Sequence, residues 1–250
     1  MKHLFPFILL VCCTACHSNI QKMNKQGLEQ MKQNQYEQAI LTFNSIIKEK
    51  TDWHPAYYNR AISYANLQQY KQAIEDFNYF LANFPNHADS YFNRAIIYEN
   101  LGNYVHAIKD YSESIKLHPG FILAYHYRGI ARFRMNDWEG ALKDYNQALE
   151  LGKNVEMDIA TAKEIGLNSS ALYFNRGVVL QKTGKYEAAI QDYTQALEID
   201  PSQSKIYYNR AIARIAISQL EEAHKDLEIA SRLGSEQAKK AIQIYFKPNI

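Results

Sequence analysis

An all-α solenoid, built from stacked pairs of helices, is the fold class that this sequence predicts. The segment Tyr-Tyr-Asn-Arg-Ala occurs at residues 57–61 and again at 207–211, with Tyr-Phe-Asn-Arg-Ala at 91–95. Glycine and proline are scarce, at 10 and 6 of 250 residues, which favours packed helices over loop-rich sheets. Apolar and small residues also recur at helical spacing, as in Tyr57, Ala61 and Tyr64.

The arginine of this motif recurs with a fixed period. Successive arginines are 34, 34, 48 and 34 residues apart, so the odd gap is one period plus an insertion of 14 residues. They are Arg60, Arg94, Arg128, Arg176 and Arg210. Thirteen residues after each arginine stands an alanine: Ala73, Ala107, Ala141, Ala189 and Ala223. A fixed period of this size indicates a solenoid whose units bury their apolar faces by stacking.

The pattern resembles the tetratricopeptide repeat (TPR), a helix–turn–helix unit. The resemblance extends to a degenerate first copy, in which Gly27, Tyr36, Ala39 and Phe43 keep the register. It implies a right-handed α-solenoid of about six TPR helix pairs over residues 22–235. The expected repeats are about 20–53, 54–87, 88–121, 122–155, 170–203 and 204–235, with the insertion at about 156–169.

The ends of the helices can also be placed. Each first helix of a pair should end in a residue with a left-handed backbone, and glycine or asparagine stands there in four repeats: Asn34, Gly102, Asn136 and Gly184. Gln68 and Ser218 occupy the same place and should cost some stability.

The insertion and the C-terminus can also be assigned. Residues 155–165 can form a short inserted helix. This helix either decorates one face of the solenoid, where it could bind a partner, or only lengthens the connection between two repeats. Residues 236–250 should form a capping helix with the apolar stripe Ala238, Ala241, Ile242 and Tyr245, the alternative being a partner-binding helix.

The N-terminus has the pattern of a secretory signal. Lys2 precedes an apolar run from Leu4 to Val11, and small residues follow it. Thr14-Ala15-Cys16 resembles the lipobox of bacterial lipoproteins, which implies a signal peptide at 1–15, lipid on Cys16 and a short tether at 16–21. The chain would then be anchored in the bacterial cell envelope, at the outer membrane or its periplasmic face. The alternative is a cleaved signal with incidental cysteines.

Each arginine of the repeat has a matching acidic residue. An aspartate follows it by 16 residues in all five copies: Asp76, Asp110, Asp144, Asp192 and Asp226. Because a buried guanidinium needs a partner, we expect five structural ion pairs with Arg60, Arg94, Arg128, Arg176 and Arg210. The alternative is a ligand-binding charge. In the first repeat Gln26 and Thr42 take the two places.

The residue before the arginine is usually asparagine. The asparagines are Asn59, Asn93, Asn175 and Asn209. An aromatic residue precedes each of them, namely Tyr58, Phe92, Phe174 and Tyr208, and His126 holds that place in the fourth repeat. The TPR resemblance places this face of the first helix on a concave groove. There the amides could pair with the backbone of an extended peptide while the rings supply apolar contact. The alternative is that the amides bond neighbouring backbone. The lysines of a chaperone-type carboxylate clamp are missing.

Other function classes have little support. The net charge of +2 does not suggest a nucleic-acid partner, and the three cysteines lie in or beside the signal. No phosphate loop, nucleophile elbow or histidine pair is present, so we expect no enzyme, no small-molecule substrate, no cofactor and no metal. The sequence predicts a non-catalytic protein–protein interaction scaffold that binds a protein or peptide in its groove. The alternatives are a self-associating spacer and a substrate-recruiting subunit of an envelope complex.

Overall fold

The computed structural model describes residues 16–153 and 169–246, and only the backbone of residues 16–18 and 153. The described part contains thirteen helices and no strand, which confirms the all-α solenoid class. The helices are α1 (Cys16–Lys32), α2 (Tyr36–Glu49), α3 (His54–Asn66), α4 (Tyr70–Asn83), α5 (Ala88–Asn100), α6 (Tyr104–Leu117), α7 (Ile122–Arg134), α8 (Trp138–Lys153), α9 (Ser169–Lys182), α10 (Tyr186–Ile199), α11 (Ser204–Ala216), α12 (Leu220–Arg232) and α13 (Glu236–Tyr245). The predicted signal peptide and the predicted helix at 155–165 lie outside the described residues.

A single left-handed residue ends the first helix of each repeat. All six predicted positions have positive φ, including Gln68 at 60° and Ser218 at 63°. The amide of Gln69 then donates to the carbonyl of Tyr64 at 2.9 Å, which closes the turn before α4 begins. Glycine adopts this conformation without strain, whereas glutamine and serine do not.

The chain divides into two compact units, and residues 1–124 form the first. Within it, α1 to α6 pack in succession, and α3 also contacts α1 and α5, the first helices of the flanking repeats. An aromatic residue of each second helix lies against a small residue of the first helix. At Gly27 the contact is so close that a Cβ atom would lie 2.6 Å from the ring of Phe43. The small residues therefore set the close approach of the two helices.

Residues 125–250 form the second unit, which repeats this arrangement. A Cβ atom at Gly129 would lie 2.7 Å from Tyr145, and one at Gly177 would lie 2.8 Å from Tyr193. Burial raises the pKa of the Tyr193 phenol, whose hydroxyl donates to Oε1 of Gln181 at 2.7 Å. The buried ring thus fills the core while its polar end has a partner.

The structure corrects the prediction at both ends of the repeat array. Residues 16–21, predicted to be a tether, are helical and belong to α1, and Ile20 is only 3% exposed. At the other end α13 packs against α12 and buries Ala238 and Ala241. Tyr245 was predicted to share this apolar stripe but is 52% exposed. None of the helices in the described ranges is long and apolar enough to cross a bilayer.

Candidate functional site

Each predicted arginine forms two parallel hydrogen bonds with the predicted aspartate. Arg94, for example, donates from Nε to Oδ2 of Asp110 at 2.6 Å and from Nη2 to Oδ1 at 2.8 Å. The same two bonds occur in the Arg60, Arg128, Arg176 and Arg210 pairs, at 2.6–3.0 Å. The hydrogen bond to Asp192 raises the pKa of Arg176. A planar guanidinium fits a carboxylate in this two-bond geometry, and each pair ties a first helix to its own second helix.

The arginines also reach the preceding repeat, which sequence reasoning missed. Nη1 of Arg60 donates to Oδ1 of Asn44 at 2.5 Å. The equivalent bonds are Arg94 to Asn78 at 2.5 Å, Arg176 to Asn146 at 2.7 Å and Arg210 to Thr194 at 3.0 Å. The acceptor always stands two residues after the aspartate position of the preceding repeat, which was the available signal. The arginine is therefore a link between repeats as well as within one.

Two aspartates have a second arginine partner that was not predicted. Arg132 donates to Asp144 at 2.8 Å, and Arg214 donates to Asp226 at 2.6 Å. Each stands four residues after the repeat arginine, where the second and third repeats have Tyr64 and Tyr98. Two guanidinium groups thus share one carboxylate in these repeats.

The first repeat replaces this charged pair with a neutral one. Thr42 Oγ1 donates to Oε1 of Gln30 at 2.8 Å. Gln30 stands four residues after Gln26, at the place that Arg132 and Arg214 occupy in later repeats.

In the first unit the predicted groove residues are buried. Asn59, Asn93, Tyr58 and Phe92 are all 0% exposed. Nδ2 of Asn93 donates to Oη of Tyr58 at 2.9 Å, which joins α5 to α3. Tyr58 packs edge-on against Phe77, and the Phe92 ring lies 4.7 Å from that of Phe121. In this arrangement these four residues contribute to packing and offer no surface to a guest.

In the second unit the corresponding residues remain partly accessible. Phe174, Asn175, Tyr208 and Asn209 are partly exposed. Nδ2 of Asn175 lies 2.9 Å from Nε2 of His126, which is 8% exposed. His126 stands where Tyr58 stands two repeats earlier, so the asparagine again contacts the preceding repeat. For Asn209 that position holds Phe174, which has no hydrogen-bond acceptor on its ring. Asn209 donates instead to the Lys205 carbonyl at 2.7 Å, as the alternative interpretation expected.

A cavity of about 280 Å³ opens beside Asn175, between α7 and α9. We call it the groove pocket, and its lining residues are Ile130, Phe133, Arg134, Tyr145, Asn175 and Val178. Three of the lining side chains are apolar, and the other three are an amide, a phenol and a guanidinium. A smaller cavity of about 100 Å³ lies beside Phe174, where Lys205 Nζ is 4.9 Å from the ring centre. Apolar walls with a few polar groups are typical of recognition sites.

Potential metal ligands do not gather in the described chain. Over residues 16–153 and 169–246 no group of three or more His, Cys, Asp and Glu side chains could hold an ion. The polar groups of the groove pocket are instead an amide, a phenol and a guanidinium, which form hydrogen bonds.

The repeats and their ladder of ion pairs define a helical repeat protein. Models described as tetratricopeptide repeat match residues 54–87 and 122–155, residues 88–121 and 170–203, and residues 192–225. These matches cover more than half of the chain, so the protein belongs to the tetratricopeptide repeat family. All of the matched models describe a repeat, and no enzyme family is among them.

Solved structures share this fold at low sequence identity. The structure of pilF from Pseudomonas aeruginosa is 16% identical, with a TM-score of 0.71; the match covers 91% of this chain and 98% of that one. YrrB is 18% identical, with a TM-score of 0.67 over 80% and 97% of the two chains. The Cut9–Hcn1 structure is 19% identical, with a TM-score of 0.67; the match covers 91% of this chain and only 43% of the other. No curated protein matches the sequence significantly.

Proposed function

We propose that this protein is a non-catalytic scaffold that holds an extended segment of another protein against the first helices of its second unit. Proteins of the tetratricopeptide repeat family generally act as protein–protein interaction scaffolds. To this general role we add three proposals: the surface that binds, the extended form of the bound segment, and the cellular location of the complex.

The groove pocket is the observation that carries this proposal. Ile130, Phe133 and Val178 provide an apolar wall large enough for one side chain of a guest. Asn175 lies at its edge and can offer its amide oxygen to a backbone N–H. An extended segment presents both features, because its side chains alternate with accessible backbone groups.

Two structural relatives support a role in protein binding. YrrB is described as a TPR protein with an unusual peptide-binding site, and Cut9 was solved in a hetero-tetramer with Hcn1. Both are similar to this chain in fold alone. They show that stacked helix pairs of this kind serve as binding surfaces in other proteins, which is what we infer for this one.

We further propose that lipid on Cys16 anchors the protein in the bacterial cell envelope. The sequence around Cys16 supports this, since a cysteine follows a small residue after an apolar run. Helix α1 begins at Cys16. A lipid at that residue would therefore hold the first repeat directly at the membrane surface, without an intervening flexible linker.

The groove can be tested with a photo-crosslinking amino acid introduced into the full-length protein in its native host. Placed at Val178, the probe should capture a discrete partner. Placed at Lys240, on the exposed face of α13, it should not. Equal capture at both sites would contradict the groove. A product with twice the mass of the chain, formed from Val178, would support the self-associating spacer instead.

The anchor can be tested by metabolic labelling with a fatty acid. The wild-type chain should incorporate the label, and Cys16→Ser should not. Cys12→Ser is the matched control and should be labelled like wild type. Lipidation at Cys16 would be contradicted if both variants lost the label, or if both variants kept it.

A further inference from the structure

The first helices of the second unit carry positive charge and no negative charge. Helices α7, α9 and α11 each carry basic residues and contain no aspartate or glutamate. In the first unit α3 likewise contains neither, whereas α1 contains Glu29 and α5 contains Asp89 and Glu99. The surface on which we place the guest is therefore made from helices with no negative side chain of their own.

Most of these cations are neutralised by the second helices. Arg128 and Arg132 bond Asp144, and Arg210 and Arg214 bond Asp226. Arg176 bonds Asp192. The bonded arginines belong to the ladder between helices and are not available to a ligand.

Arg134 and Lys182 are different, because no carboxylate in the described part of the chain pairs with either. They occupy the same position in successive repeats, six residues after Arg128 and Arg176, and both are exposed. Arg134 also lines the groove pocket beside Ile130 and Phe133. In the second and third repeats the same position holds Asn66 and Asn100, so a cation here is not required by the repeat.

Lys205 is the remaining cation on these helices, and it is partly balanced. It lines the smaller cavity together with Asp200. Hydrogen bonds from Ser202 and Gln203 lower the pKa of the Asp200 carboxyl, and the charge of Lys205 lowers this pKa further. Among the described residues, the charge without a carboxylate partner on these helices is therefore at Arg134 and Lys182.

We propose that the guest of this groove is an acidic extended segment, with an apolar side chain in the groove pocket and carboxylates beside Arg134 and Lys182. This rests on the proposed function and adds the chemistry of the partner. Charge complementarity of this kind increases the association rate and selects against basic partners. We expect these carboxylates to come from Asp and Glu side chains and not from the C-terminus of the guest. The site has two separated cations, whereas a C-terminal carboxylate would need several cations at one point.

The test uses the full-length protein and three fluorescent twelve-residue peptides with amidated C-termini. Each alternates leucine with one polar residue, which is glutamate, glutamine or lysine. We expect the glutamate peptide to bind most tightly and the lysine peptide least, with affinity for the glutamate peptide falling as salt is raised. Arg134→Gln and Lys182→Gln should each weaken the glutamate peptide about fivefold, and should weaken it more than they weaken the glutamine peptide.

The matched control is Lys240→Gln, which removes the same charge from the exposed face of α13. It should change neither affinity. If Arg134 and Lys182 only stabilise the C-terminal ends of their helices, the two variants will melt earlier and bind as wild type, which would overturn the proposal. A glutamate peptide that binds only with a free C-terminal carboxylate would also overturn it.

The outcomes separate this inference from the proposed function. Val178→Trp fills the groove pocket and should abolish binding of both the glutamate and glutamine peptides. If those two peptides bind equally and both are lost in Val178→Trp, the groove stands and the acidic preference falls. If the glutamate peptide binds the Val178→Trp variant as it binds wild type, the groove itself is wrong. No binding of the glutamate peptide to wild type would likewise reject the acidic preference.

Discussion

Arg94 and Asp110 face each other through two parallel hydrogen bonds, of 2.6 and 2.8 Å, between the two helices of one repeat. The third arm of the same guanidinium reaches Asn78 in the preceding repeat. The five repeat arginine side chains are between 13% and 24% exposed, so the paired bonds to the aspartates are largely shielded from water. One side chain therefore fixes both the pairing of helices and the stacking of repeats.

Removing the acidic partner should be costly. We expect Asp110→Ala to lower the free energy of unfolding by about 3 kcal/mol, because it leaves a largely buried guanidinium without its carboxylate. Thr42→Ala, at the same place in the uncharged first repeat, should cost about 1 kcal/mol. Denaturant unfolding monitored by circular dichroism measures both. Similar small losses for the two variants would show that water compensates the arginine.

The asparagines should differ according to their bonding. Asn93→Ala removes a buried hydrogen bond to Tyr58 and should destabilise the protein by about 1 kcal/mol. A double-mutant cycle with Tyr58→Phe should show coupling of the two residues. Asn209→Ala, where the amide is partly exposed and bonds its own helix, should have little effect on the melting temperature. Equal destabilisation by Asn93→Ala and Asn209→Ala would contradict this assignment.

The left-handed turn residue of the second repeat can be improved. Gln68 has φ of 60°, so Gln68→Gly should stabilise the protein by about 0.5–1 kcal/mol through relief of backbone strain. Its neighbour Gln69 has φ of −82°, and Gln69→Gly should give no gain. Thermal melts of both variants test the assignment. A higher melting temperature for Gln69→Gly than for Gln68→Gly would contradict it.

His87 should make the third repeat sensitive to acid. Its Nδ1 accepts a hydrogen bond from the amide of Ser90 at the start of α5, and burial lowers the pKa of His87 below 6.5, with Asp89 opposing. Because the folded state favours the neutral ring, this contribution is present above pH 6.5 and is lost as pH falls through the lower folded pKa.

The test compares wild type with His87→Asn, since asparagine keeps an acceptor at the start of the helix without titrating. The stability of wild type should fall more steeply between neutral and mildly acidic pH than that of the variant. Parallel pH profiles for the two proteins would show that His87 does not titrate in this range.

The sequence by itself determined the repeat, the positions of the turns and the arginine–aspartate pairs. These depend on local spacing, because a fixed period places Arg94 and Asp110 on facing helices whatever the curvature of the array. The left-handed turns at Asn34 and Gly102 were equally clear, since few residues tolerate that backbone.

Only the tertiary structure decided which of the repeated positions are accessible. Asn93 and Asn175 have the same local sequence, yet one is fully buried and bonded to a phenol while the other borders an open pocket. The structure also showed the bond from a repeat arginine to the preceding repeat and the second arginines on Asp144 and Asp226. It showed as well that Arg134 and Lys182 have no carboxylate partner among the described residues. The burial of a side chain and its hydrogen-bond partners depend on residues from neighbouring repeats. The sequence period fixes the positions of those residues along the chain, but it does not fix how closely they pack.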